Sequence, residues 1–334
     1  MLRTLPNLRP ILHPIADPIL DGRPRLSTLD APHPLAIWHM ASLDAPTVAV
    51  LWTLGFGFAA GVRLPLWAPA LVGLVTWAVY IGDRLLDARS ALAARQPSRL
   101  RHRHRFHWRN RRLLGSLAIA SASVALGLVV VSVPTAARDR GAALGLATIA
   151  YFSGVHARRN PGSRLGSRLG WLPTPGKIVE RLPFNQIGNE ILVAAIFTCG
   201  CMLPVWPRAR LLPAPLWPLA VVAAFFMLLA WLNYHAIGRW EAGAPAEHIT
   251  LAGSLLALTG LGLAATLRAG FPSVAVIVAS AAGSALLLAI LNRNSIRLTP
   301  LALRASADLA LLLPQVLFVS LALFVPWRAL SLHL

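Results

Sequence analysis

Asp83 and Asp87 stand four residues apart at the end of an apolar run, in the stretch Leu74-Val-Thr-Trp-Ala-Val-Tyr-Ile-Gly-Asp-Arg-Leu-Leu-Asp87. Side chains four apart share one helix face, so both carboxylates can address one ligand. Acids at the edge of a membrane-length apolar segment are costly to keep, which makes a functional site the first hypothesis. Two oxygen donors on one face suit a hard divalent cation such as Mg²⁺, which bridges carboxylates to diphosphates. The competing explanation is an intrahelical pairing with Arg84 and Arg89, or a solvated helix end.

A second polar patch is Leu232-Asn-Tyr-His-Ala-Ile-Gly-Arg-Trp-Glu241. Asn233 and Glu241, eight residues apart, fall on roughly one face of a helix, about two turns from each other. His235 and Arg239 lie beside them. A snorkelling helix end explains the same residues without chemistry.

The elements that would position these patches are apolar. Hydrophobic residues make up 56% of the 334 residues and charged residues only 13%, about half the share of an average soluble domain. Nine apolar stretches, at 46–63, 66–87, 113–133, 141–157, 187–206, 215–237, 249–268, 272–292 and 307–326, each approach the ~20 residues a bilayer requires. The expected fold is therefore an all-α polytopic membrane bundle of about nine transmembrane helices. A β-barrel would need short alternating segments, and they are absent. Residues 42–334 form this helical domain. Residues 1–41, interrupted by prolines 6, 10, 14, 18, 24, 32 and 34, are expected to be an irregular or interfacial arm.

Basic residues outnumber acidic ones 31 to 12, for a formal charge of +19. Placing the arm and the connections after spans two, four, six and eight on one side gathers about 24 basic residues there, against about seven opposite. The positive-inside rule makes that side cytoplasmic, with the N-terminus inside and the C-terminus outside a bacterial-type inner membrane. Both polar patches then face the cytoplasm. The dense Arg99–Arg112 tract reads as a topology signal lying on anionic lipid, with a funnel for anionic substrate as the alternative. Phe106 and Trp108 are too few for a base-stacking platform, so no nucleic-acid partner is expected. Its histidines, 102, 104 and 107, sit among arginines that would repel a metal ion.

Other polar residues invite structural readings. Asp44, before Ala45-Pro46, suits a helix N-cap, and Arg304 and Asp308 can neutralise each other across one turn. Glu190 has no local basic partner and must either face a cavity or pair across helices with an arginine. Cys199 and Cys201 read as small packing residues.

Nine spans with polar motifs after spans two and six resemble the UbiA-type intramembrane prenyltransferases. The family's first motif, Asn-Asp-x-x-Asp-x-x-x-Asp, is matched by Asp83-Arg-Leu-Leu-Asp87-Ala-Arg-Ser-Ala91, with Asp83 in the asparagine's place and Ala91 where the last acid stands. The second motif, Asp-x-x-x-Asp-x-x-x-Asp, is occupied by Asn233, Ile237 and Glu241. Tyr151 with Arg158 and Arg159 resembles the family's tyrosine and basic residues near the end of span four, and Asn185-Gln186 precedes span five. The resemblance implies transfer of a prenyl group from a polyprenyl diphosphate to a hydrophobic, often aromatic, acceptor within the membrane. It implies Mg²⁺ on Asp83, Asp87 and Glu241, with Asp83, Asp87, Asn233 and Glu241 as the catalytic set. Arg84, Arg89, Tyr151, Arg158, Arg159 and Arg239 would hold the diphosphate, guanidinium forks being matched to phosphate oxygens. The alternative is a non-catalytic protein of the same fold that binds or moves a lipid or small molecule.

Overall fold

The computed structural model describes residues 34–93, 102–159, 186–244 and 246–324. They are helical, with no strand among the described residues. In chain order the helices are α1 (Pro34–Met40), α2 (Asp44–Ala59), α3 (Trp67–Ala93), α4 (His102–Arg109), α5 (Arg111–Ser132), α6 (Thr135–Arg159) and α7 (Gln186–Met202). They continue as α8 (Trp206–Ala209), α9 (Trp217–Glu241), α10 (Glu247–Leu267), α11 (Pro272–Arg293) and α12 (Pro300–Phe324). Each of the nine apolar stretches falls on one of them. Five, namely α3, α5, α9, α10 and α11, are long and apolar enough to cross a membrane by length and composition. The helix α2 has 16 residues and α7 has 17, short of the ~20 a full crossing takes. A short helix, α1, stands where an irregular arm was expected; residues 1–33 lie outside the described part.

Local chemistry sets the boundaries. Prolines open α11 and α12 and occupy the first turn of α9, where the missing N–H costs nothing. Gly61 (φ 65°) follows the C-terminus of α2 and Gly243 (φ 61°) that of α9, a left-handed conformation glycine adopts without steric penalty.

The helix α2 runs through the middle of the bundle. Trp52 and Phe56 are wholly buried; Trp52 stacks on Phe226 of α9 at 4.2 Å between ring centroids, and Phe56 meets Phe226 edge-on at 5.7 Å. Trp52 Nε1 donates to the Leu311 carbonyl at 3.2 Å and Gln315 Nε2 to the Leu51 carbonyl at 2.6 Å, tying α12 to α2. Small residues bring α10 and α11 together: a Cβ on Gly253 would lie 2.8 Å from the Ala285 carbonyl oxygen, and one on Gly260 would lie 2.9 Å from Ala282 Cβ. Close approach of this kind replaces the hydrophobic drive that helices lack in lipid. The outer faces of α5 and α10 expose Ile119, Val131, Leu251 and Leu258, an apolar surface suited to acyl chains rather than water.

Candidate functional site

The N-termini of α2, α7, α10 and α12 and the C-termini of α9 and α11 meet at one end, toward which α3 carries Arg84. Most of the buried charge lies there, in two layers.

The inner layer joins α1, α2, α9 and α12. His39 Nδ1 lies 2.8 Å from Asp44 Oδ2 and 3.9 Å from Asp308 Oδ2. Asn233 Nδ2 donates to Asp308 Oδ1 at 3.5 Å. His39, Asp44, Asp308 and Asn233 are each at least nine-tenths buried. A tight corner sets His39 and Asp44 face to face: Ser42, between α1 and α2, has φ 55°, a conformation that costs a non-glycine residue on the order of 1 kcal/mol. Two contacts hold it. Ser42 Oγ is 3.1 Å from Nε2 of the fully buried His107 of α4, and Trp77 Nε1 of α3 donates to the Ala41 carbonyl at 2.9 Å. One member of the arginine–histidine tract thus anchors the fold instead of lying on lipid.

Arg84 of α3 is 4% exposed, and its guanidinium sits over the Tyr80 ring at 5.3 Å. Its charge reaches Asp44 and His39, yet its Nε and Nη2 have no hydrogen-bond partner among the described residues. Burial holds His39 below the usual imidazole range; Asp44 pulls it back, and the charges of Arg304 and Arg84 oppose that pull. Desolvation prevails, so the imidazole is neutral at pH 7 and keeps a lone pair.

In the outer layer Arg304 Nη1 donates to Glu241 Oε1 at 2.8 Å, linking α12 to α9. This pair lines a cavity of about 770 Å³ walled by Ile237, Trp240, Ile296 and Leu303 on its apolar side. Trp240 is steadied by Asn292, which accepts from its Nε1 at 2.7 Å. Arg304 therefore stands between the cavity and the buried carboxylates, whose charges it also reaches.

The residues singled out in the sequence divide accordingly. Arg84, Asn233 and Glu241 come together around this cluster. Asp83 and Asp87 are half-buried beside it, on the neighbouring face of α3, and both are engaged in interactions of their own. Arg89 is exposed. Tyr151 packs edge-on against Phe152 at 5.6 Å, and Arg239 lies within electrostatic reach of His248. The side chains of Arg158 and Arg159, and Asn185, lie outside the described residues.

Glu241, one of the three acids expected to hold Mg²⁺, bonds Arg304, and among the described residues the group of side chains close enough together to hold a cation is His39, Asp44 and Asp308. Two structural readings change with it. Asp44 begins α2, but Leu43 takes the cap position with no side-chain cap bond, and Asp44 Oδ1 accepts from the adjacent Ala45 N–H at 2.9 Å while its Oδ2 turns to His39. Arg304 pairs with Glu241, leaving Asp308 to Asn233 and His39. Glu190 does pair across helices, with His235.

Sequence reasoning passed over His39 as a site residue and took Asp44 and Asp308 as structural. The available signal was positional: both acids stand at the start of a span, on the side shared by the two polar patches. Both cysteines are free, Cys201 buried and Cys199 exposed.

No family model, curated protein or solved structure matches the chain.

Proposed function

We propose that this chain is a membrane-embedded transferase that receives the diphosphate headgroup of a polyprenyl diphosphate at the polar end of the bundle and passes the prenyl group to a hydrophobic acceptor. The carrying observation is the meeting of Arg84 from α3 with Asn233 and Glu241 from α9 around one buried charged cluster. Arg84 is a desolvated cation with unused donors, and a diphosphate oxygen is a natural partner for such a fork. The adjoining cavity has an apolar wall and a charged rim, as an amphiphile with an anionic head requires.

In the reaction the bond between the allylic carbon and the diphosphate oxygen breaks, and the electron pair leaves with the diphosphate. Arg84 stabilises the charge that builds on the departing oxygens. Packed aromatic and aliphatic side chains keep water from the allylic cation. The acceptor forms the new carbon bond and gives up a proton.

A binding protein without turnover is the second reading. It is favoured by the pairing of Asp44 with His39, Asp308 with Asn233 and Glu241 with Arg304, which leaves each acid occupied. Purified protein in lipid nanodiscs, given farnesyl or geranylgeranyl diphosphate and Mg²⁺, separates the two. Release of inorganic diphosphate supports transfer, saturable binding without release supports the binding protein, and the absence of both overturns the site.

A further inference from the structure

The geometry points to a divalent-cation site formed by His39 Nδ1, Asp44, Asp308 and the amide oxygen of Asn233, drawn from α1, α2, α9 and α12. It is a different place from the aspartates of α3. It also stands apart from prenyl transfer, since a cation could be held there whatever the protein does with lipid.

Four observations carry it. One donor atom from each of His39, Asp44 and Asp308 lies within 4.8 Å of the others. Neighbouring donors on a cation with ligand bonds of about 2.1 Å stand roughly 3 Å apart, and opposite ones roughly 4.2 Å; the distances from His39 Nδ1 to the two carboxylates, 2.8 and 3.9 Å, fall in that range. The directions agree as well. Although 2.8 Å is a hydrogen-bonding distance, His39 Nδ1 has no properly aligned hydrogen-bond partner. Donors converging on a common point give that pattern.

Asn233 supplies the third observation. It is 9% exposed, its amide nitrogen meets Asp308, and its Oδ1 is buried with no hydrogen-bond partner. A buried carbonyl oxygen without a partner is costly to keep, and a cation would satisfy it. The fourth is charge. Two carboxylates this close in a dry site cannot both ionise without a positive partner. Arg304 is bonded to Glu241, and Arg84 Nε and Nη2 make no bond to either acid. The charges of both guanidiniums reach the acids without a bond, and a proton shared by the acids or a metal ion would supply the bonded partner. The unpartnered Asn233 Oδ1 favours the ion, because a proton shared by the two acids would leave that oxygen unsatisfied. One nitrogen with oxygen donors suits Mn²⁺, Fe²⁺ or Zn²⁺ better than Ca²⁺. Arg84 would then lie beside the metal, where an anion could bridge the two.

The test uses Mn²⁺ alone, with no prenyl diphosphate. Chelator-stripped wild-type protein in detergent is titrated with Mn²⁺ and followed by electron paramagnetic resonance. The expected result is one Mn²⁺ per chain, carrying electron-spin-echo coupling to a single imidazole nitrogen. Histidine labelled with ¹⁵N converts that coupling to the ¹⁵N pattern in the wild-type protein itself, so the result does not depend on a variant folding. His39→Gln removes the coupling and weakens Mn²⁺ binding by about tenfold or more, the scale on which even outer-shell changes act. Asp308→Asn weakens binding likewise, while His235→Gln changes neither reading. The inference is overturned if the wild-type protein takes up no Mn²⁺, as for a shared proton, or if the nitrogen coupling survives in His39→Gln. Mn²⁺ uptake by a protein that releases no diphosphate would sustain this site and remove the transferase reading.

Discussion

At the polar end of the bundle Glu190, His235 and His248 form a chain of hydrogen-bonded groups, while His39, Asp44 and Asp308 crowd around a common point a short distance away. In the chain, His235 Nδ1 lies 2.7 Å from Glu190 Oε2, and its Nε2 lies 2.9 Å from His248 Nε2. Trp231 stacks on the His235 ring with centroids 5.4 Å apart. The chain runs from a buried acid to an exposed histidine, and both nitrogens of its central ring are used. The crowded cluster has the same ingredients and is sealed from solvent, yet it leaves His39 Nδ1, Asn233 Oδ1 and two Arg84 nitrogens without hydrogen-bond partners. Native interiors satisfy nearly all of their polar atoms, so a concentration of orphans in one spot marks a place built for something else. The first cluster leaves one such atom, Trp231 Nε1. The second is complete only with a ligand.

Breaking each cluster in turn sharpens the contrast. Asp44→Ala removes one charge from the sealed cluster and leaves its buried partners uncompensated; a loss of about 3–5 kcal/mol is expected, read as a lowered unfolding midpoint in detergent. Adding Mn²⁺ at a hundredfold excess over the wild-type Kd should raise wild-type stability by about 2.7 kcal/mol and that of Asp308→Asn by about 1.4 kcal/mol at most, as thermal shift will report. Glu190→Gln replaces a charged partner of His235 with a neutral one of the same shape, for a cost of about 1.5–3 kcal/mol at most. His248→Ala, at the solvent end of the chain, should change stability by less than about 1 kcal/mol. If Glu190→Gln proved as damaging as Asp44→Ala, the distinction between the two clusters would fail.

The nine apolar stretches are legible in the sequence because a helix in lipid must be apolar over a fixed length, and each one falls on a helix. Their adequacy as full spans is less legible: α2 is buried among its neighbours, so packing and not length governs it. Arg84, Asn233 and Glu241 could be chosen from the chain because polar side chains stand out against apolar surroundings. Their grouping with His39, Asp44 and Asp308 could not. It depends on the Ser42 corner and on contacts spanning as many as 269 positions in sequence, from His39 to Asp308, which no local pattern encodes. Asp83 and Asp87 attracted attention through their spacing, but spacing fixes only that they share a face. Packing decides which face looks inward, and on α3 it is the one bearing Tyr80, Arg84 and Ala88.

Diphosphate release from farnesyl or geranylgeranyl diphosphate, compared between Arg84→Gln and Asp83→Asn, tests this account most directly. If the inward face of α3 holds the headgroup, Arg84→Gln loses nearly all release while remaining monodisperse, and Asp83→Asn keeps most of it. Full release by Arg84→Gln would contradict the account.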